Sequence, residues 1–178
     1  MLKENEDFIY NFINKELRFL PSCDASFPFL PFAINRPFAV YDISKMTNEQ
    51  TDALYELAPT ALANCLPIGH QLYFIDWFHK FILYDPRNPK NSECADEETL
   101  NPDYNSKGIA HFDGFYPNGE YYFYIEKYGY FGYLSHPWRE EVWIYGEELV
   151  KEFEKIEDKI GFIKKASFRG FYIKYTLF

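Results

Sequence analysis

The sequence predicts an α+β fold: a single domain, residues 1–178, built on an antiparallel β-sheet with a meander in the second half and helices packed on one face. Three observations predict it. Apolar residues recur at helical spacing in three separate stretches. Aromatic, alternating runs crowd the second half and are punctuated by turn residues. The order is helix, strand, helix, several strands, helix, strand, which lacks the regular βαβ alternation of a parallel sheet.

The first helix is read from Glu6 to Leu20, where Phe8, Ile9, Phe12, Ile13, Leu17 and Leu20 form one stripe that Pro21 ends. The proline-rich segment after it is an extended connector, with Phe27, Phe29 and Phe32 set against the core. FAVYDIS (38–44) reads as a strand. Thr47 and Gln50 have the spacing of a capping box, and Leu54, Leu57, Ala58, Ala61, Leu62 and Cys65 make the next helical stripe. Pro59 falls within it, and it either kinks this helix or begins another, since proline fits only a first turn without loss. HQLYFIDW (70–77) and HKFILYD (79–85) are two β-like runs that form one bent strand or a tight hairpin.

Residues 86–108 are polar and aperiodic and read as a long acidic loop. IAHFDGFY and EYYFYIEK flank Asn118-Gly119, the strongest short hairpin signal. A turn near Tyr128-Gly129, then YFGYLS, the gap SHPWRE and EVWIYG complete a meander of about four strands. Gly146 opens a helix whose first turn carries Glu147 and Glu148, with Leu149, Phe153, Ile156 and Ile160 as its apolar stripe and Gly161 as its cap. The stretch 161–178 is a C-terminal strand extension, with Phe171, Ile173, Tyr175 and Leu177 alternating on one side.

Composition narrows the function classes. The net charge of −9 repels phosphate backbones, so nucleic acid is not the expected partner, whereas a basic protein surface suits it. No run approaches the ~20 apolar residues of a membrane span. The N-terminal MLKENEDFIYNF lacks the pattern of a signal peptide. Three cysteines, Cys23, Cys65 and Cys94, form neither a CxxC pair nor a disulfide framework, and free thiols fit a cytoplasmic protein. Phe, Tyr and Trp make up 21% of the chain, and 16 tyrosines exceed what a small core needs, so several are expected at the surface.

The blocks FYPNGEYYFYI (115–125), FGYLSHPW (131–138) and IYGEELV (144–150) resemble the core of an uncharacterised bacterial family, domain of unknown function 2716. Its members carry a FYPDGDYYFF segment, then GHPW, then FGEEL. Asp76-Trp77, His79 and Tyr84 to Pro86 resemble its second block and YDIS (41–44) its first, so the likeness spans Val40 to Val150. Here Ser135 stands where the family has Gly. Asn118 and Glu120 stand where it has two acids. Had the backbone at 135 needed a positive φ, Gly would be expected there. The resemblance implies a shared fold and no activity. A small, acidic, aromatic-rich α+β unit is similar to several immunity-protein families of toxin systems, by analogy of architecture alone.

Each candidate for chemistry has a structural counterpart. His136 beside Arg139, Glu140 and Glu141 has the parts of a general base with carboxylate partners. Equally, Pro137 stiffens a strand connector in which Trp138 packs inward and His136 donates to a backbone carbonyl. His111 and Asp113 face the same side of an expected strand and, with His79 or His136, offer weak catalytic or metal-ligand candidates. HExxH, GxSxG and phosphate-binding glycine loops are absent, so neither metal nor cofactor is expected. Glu97 and Glu98, in the acidic loop, suit a basic partner. Tyr122, Tyr124, Trp138 and Glu140 are the expected remainder of an exposed, acid-rimmed aromatic surface. The favoured reading is a non-enzymatic cytoplasmic inhibitor, of immunity or antitoxin type, that occludes a basic toxin domain. The alternatives are a small metal-dependent or His/carboxylate hydrolase using His111, Asp113 and His136, and a phage- or plasmid-encoded protein that sequesters a host factor.

Overall fold

A computed structural model describes residues 2–19, 36–77, 80–88, 93–94 and 114–168. The elements run α1 (Leu2–Lys15), β1 (Phe38–Asp42), α2 (Asn48–Asn64), β2 (Leu72–Asp76), β3 (Lys80–Tyr84), β4 (Glu93–Cys94), β5 (Tyr122–Glu126), β6 (Gly132–His136), β7 (Glu141–Tyr145), α3 (Glu147–Glu154) and β8 (Ile163–Phe168). Among the described residues one sheet holds all the strands, in the order β4-β3-β2-β5-β6-β7-β1-β8. Every pairing is antiparallel. The fold is α+β with a single antiparallel sheet.

Alternation along each strand separates two apolar layers. Phe74, Tyr122, Tyr124, Tyr133, Val142, Ile144, Ala39 and Tyr41 face α2 and α3, and meet Leu54, Ala58, Leu62, Leu149 and Phe153. Tyr73, Ile75, Phe123, Ile125, Leu134, Trp143 and Val40 face the other way and meet Ile9, Ile13, Leu17 and Phe19, from α1 and the turn after it. The expected packing on one face therefore describes α2 and α3, and α1 covers the opposite face. Both layers being filled explains why β5, β6 and β7 are buried along their whole lengths. It also explains the aromatic richness: two cores must be filled, each about a side chain deep.

Several local expectations change. α1 turns its Ile9–Ile13 stripe inward, but Phe8 is 53% exposed. Pro59 does not divide α2, which runs through it to Asn64. The Thr47–Gln50 box forms: Gln50 N donates to Thr47 Oγ1 (3.3 Å) and Thr47 N to Gln50 Oε1 (2.9 Å). At the other end of α2, the Arg87 guanidinium donates to the carbonyls of Ala63 and Leu66 (2.5 Å each) and Pro67 (3.2 Å). Ala63 O and Pro67 O also accept from Leu66 N (3.2 Å) and His70 N (3.1 Å), so the guanidinium adds second hydrogen bonds there and ties the chain that leaves α2. β2 and β3 form the tight hairpin, in register Asp76↔Lys80. Within the acidic loop, Glu93 and Cys94 add a short strand to β3.

Asn118-Gly119 does not join two paired strands. The edge of β5 that such a hairpin would use is occupied by β2, with Asp76 opposite Tyr122. Asn118 instead takes a hydrogen bond from the Tyr122 hydroxyl within an irregular bend. The meander is β5-β6-β7, joined next by β1. The helix after Gly146 stops at Glu154 and turns continue to Gly161, yet Ile160 is still fully buried. The strand that follows is Ile163–Phe168. The expected strand with Phe171, Ile173, Tyr175 and Leu177 lies outside the described residues, as do the connector with Phe27, Phe29 and Phe32 and the run holding His111 and Asp113.

Candidate functional site

SHPWRE is the β6–β7 hairpin. Ser135 pairs with Val142 and His136 with Glu141, and Pro137 to Glu140 make the connection. Glu140 N donates to Pro137 O (3.3 Å), and Glu140 takes the positive φ, +48°, that closes the loop. The glycine-like demand therefore falls at 140 and not at 135, where Ser135 is ordinary strand backbone, fully buried, with its hydroxyl 3.4 Å from Gly114 O. Glu140 is exposed, and its carbonyl accepts from Ile43 N (2.9 Å), which fastens the tip to the end of β1.

Under the hairpin lies a cluster of aromatic and charged groups on the α1 side of the sheet. The Tyr121 ring stands 4.7 Å from His136 and 5.1 Å from Trp138, centroid to centroid. Trp138 is half-buried against this layer, as a packing anchor would be. His136 is 3% exposed. Its Nε2 is 3.4 Å from the Tyr121 hydroxyl, and its Nδ1 has no hydrogen-bond partner among the described residues, so the expected donation to a carbonyl is not made. Burial pushes the imidazole down to about 4, and the neighbouring Arg139 cation adds to this while Glu141 opposes it. It is a neutral, enclosed ring at pH 7.

Glu141, directly across the ladder, is the charged centre. It is 2% exposed and accepts from Arg139 Nε (2.7 Å), Lys165 Nζ (2.7 Å) and Trp143 Nε1 (3.0 Å). Burial raises its pKa, but the hydrogen bonds from Arg139 and Lys165 outweigh it and hold the carboxyl below its usual range. Lys165 reaches it from β8 across the intervening β1, so this carboxylate ties β7, β8 and the hairpin together. A general base must reach substrate. Here the imidazole is enclosed and the carboxylate is saturated by two cations and an indole, so the arrangement locks the hairpin.

The remaining candidates are scattered. Tyr122 and Tyr124 were expected on an open face, and the structure puts both in the core. Tyr124 is fully buried, stacked on Phe115 at 4.4 Å and 5° and against Phe74 at 4.8 Å, because α2 and α3 cover that face. Glu97, Glu98, His79, His111 and Asp113 lie outside the described residues. Among the described residues no three His, Cys, Asp or Glu side chains converge as metal ligands, and no helix is long and apolar enough to cross a membrane. The Cys65 thiol is pushed up to about 12 by burial and then by Glu152 and Glu148, so it is a poor nucleophile.

One surface feature was not anticipated. At the opposite end of β6, residues 127–131 form the β5–β6 turn, and they carry the large exposed aromatics Tyr128 (59%) and Tyr130 (67%), with rings 6.1 Å apart. The turn is braced from beneath. The buried Glu126 carboxylate accepts from Tyr128 N (2.8 Å) and Tyr130 N (3.2 Å), and Gly129 N donates to Glu126 O (2.7 Å). Gly129 has φ +70° and lies under the Phe12 ring, where any Cβ would collide. Exposed Phe8 is one helical turn from Phe12. Arg36 donates to Gly129 O and lies over Tyr130, and Lys127 lies over Tyr128. The sequence signal was present in Tyr128-Gly129-Tyr130, three residues that a two-residue alternation leaves outside both strands.

Comparison with known proteins gives relatives without an assigned activity. The chain is 23% identical over 159 residues to the uncharacterized protein YxiI of Bacillus subtilis (strain 168), covering 84% of this chain and 87% of that one. No solved structure gives a significant match. The family model for the "Protein of unknown function (DUF2716)" matches residues 1–150, which takes in α1 as well as the sheet through β7 and the start of α3, and the chain belongs to that family.

Proposed function

We propose that this protein is a non-catalytic protein-binding module of the cytoplasm that works as an immunity or antitoxin-like inhibitor of a basic toxin domain. The observation that carries the reading is the braced Tyr128–Tyr130 turn. Large aromatic rings held rigidly in solvent lose little conformational entropy on binding and are the groups most often found at the centre of protein interfaces. The chain's net charge of −9 supplies long-range attraction to a basic partner. Lys127 and Arg36 sit against the rings themselves, so steering comes from the rest of the surface and contact area from the turn. Glu140, exposed at the far hairpin, is at the wrong end of β6 to share one small interface with Tyr128 and Tyr130.

The test is co-expression with the protein encoded by the adjacent reading frame. Growth protection by the wild-type chain, lost in a Tyr128→Ala/Tyr130→Ala double variant that still folds, is the expected result. A metabolic enzyme in that position, with no toxicity to neutralise and no complex in titration calorimetry, rejects the inhibitor reading.

A further inference from the structure

Ile68 is 91% exposed, more than any other large apolar side chain among the described residues. It stands at the corner of the turn that follows α2. His70 N donates to Pro67 O (3.1 Å), and Gly69 takes φ +81°, as the third position of a type II turn requires. Arg87 fastens this turn through Pro67 O (3.2 Å) and Leu66 O (2.5 Å). Residues 67–70 are exposed throughout, so the core makes no use of the isoleucine. It is held in solvent on a braced turn, as Tyr128 and Tyr130 are.

The topology sets the two turns at one end of the sheet. β2 begins at Leu72, directly opposite Glu126, where β5 ends. The chain therefore enters β2 one strand spacing, ~4.8 Å, from where it leaves β5 for the Tyr128–Tyr130 turn. α3 starts at this end too. Gly146 is packed against Tyr130, whose carbonyl would lie 2.9 Å from a Cβ there. Glu152, on the second turn of α3, accepts from Asn64 Nδ2 (2.8 Å) at the last residue of α2. The first turn of α3 thus lies between the tyrosine turn and the chain that leads from α2 to Ile68. It presents the exposed carboxylates of Glu147 and Glu148, which share one cation, Lys151 (2.9 and 3.1 Å), so the group keeps a net negative charge.

We infer that Ile68 is a second anchor of the interface proposed above, and that the partner is a basic protein domain with an apolar socket for Ile68 and a cation facing Glu147 and Glu148. The inference rests on the inhibitor reading and extends it across this end of the molecule. A solvated isoleucine gains most by entering a pocket, and a braced turn has little order left to lose. Carboxylates between two apolar anchors favour a cationic partner and fix its orientation. Arg36 and Lys127 already lie on the Tyr130 and Tyr128 rings.

The experiment is titration calorimetry of the full chain with the purified protein of the adjacent reading frame. Ile68→Asp, at a solvated position that leaves the fold intact, is expected to weaken binding at least ~30-fold. Ile163→Asp is the control. Its side chain is also exposed, but it lies opposite Asp42 at the other end of the sheet. Binding by that variant should stay within about twofold of wild type, as for a site outside the interface. Glu147→Gln/Glu148→Gln is expected to weaken binding at least ~5-fold at low ionic strength and little at high. Binding lost in Tyr128→Ala/Tyr130→Ala but unchanged in Ile68→Asp overturns the second anchor and leaves the inhibitor reading standing. No binding by the wild-type chain rejects that reading and the anchor with it. Equal losses in Ile68→Asp and Ile163→Asp trace the effect to added charge and overturn the socket. Unchanged binding in the glutamine variant overturns the cationic contact.

Discussion

His136 and Glu141 face each other across the β6–β7 ladder, and both have depressed pKa values with opposite origins. For His136 the folded state disfavours the proton, so stability falls as pH drops from the free histidine value of 6.5 towards about 4. A depression of that size amounts to ~3 kcal/mol across the window. For Glu141 the folded state favours the carboxylate, so its contribution is full above the ordinary value of 4.5 and is lost as pH falls through the lower folded value. His136→Phe is therefore expected to flatten the stability profile between pH 6.5 and 4, measured as urea midpoints, and to leave the steeper loss below pH 4.5. Glu141→Gln is expected to cost about 2 kcal/mol at pH 7, because hydrogen bonds from two cations to a carboxylate are lost. A smaller cost at pH 4 would identify the charge as the source. At this scale the sequence was only half legible. SHPWRE could be recognised as a connector with an inward Trp138, but Lys165 is 24 residues from Glu141 and no spacing announces their contact. Tyr122 and Tyr124 misled for a related reason: whether a strand face is open depends on which helices cover it, and α2, which with α3 covers theirs, is far away in the chain.

The elements themselves were largely written in local chemistry. The Thr47–Gln50 box, the α2 stripe and the Gly129 and Gly146 turns are short-range signals, and each formed, whereas the first and third stripes run past the helix ends at Lys15 and Glu154. Asn118-Gly119 failed because hairpin propensity is a local preference, and β2 pairs with β5 through a long-range contact that takes the same edge. Arg87 illustrates the same limit from the other side, since it closes α2 from 20 residues or more away. Arg87→Ala is expected to lower stability by about 1 kcal/mol, through loss of the guanidinium hydrogen bonds to Ala63, Leu66 and Pro67 carbonyls and of a cation at the negative end of the helix dipole. Arg87→Lys should recover part of that. A thermal scan of the three proteins checks the order wild type, Lys, Ala, and an Ala variant as stable as wild type would show that water replaces the guanidinium without loss.

The whole molecule is a twin-layer sheet whose two ends differ. One end is sealed by the Glu141 cluster and the half-buried Trp138, and the other presents Tyr128 and Tyr130. Fold class and acidity followed from sequence, whereas the position of the exposed aromatics needed the topology to show which tyrosines the cores consume. Replacing both tyrosines with alanine should leave the unfolding midpoint within ~0.5 kcal/mol of wild type, as surface substitutions do, while removing the contact area a partner would use. The most direct measurement is photo-cross-linking in producing cells, with p-benzoylphenylalanine at position 130 and, as a control, at the exposed Asp158. The account predicts one predominant adduct, to a basic protein, from position 130 and none from 158. No adduct at 130, or the same spectrum of adducts from both positions, would contradict it.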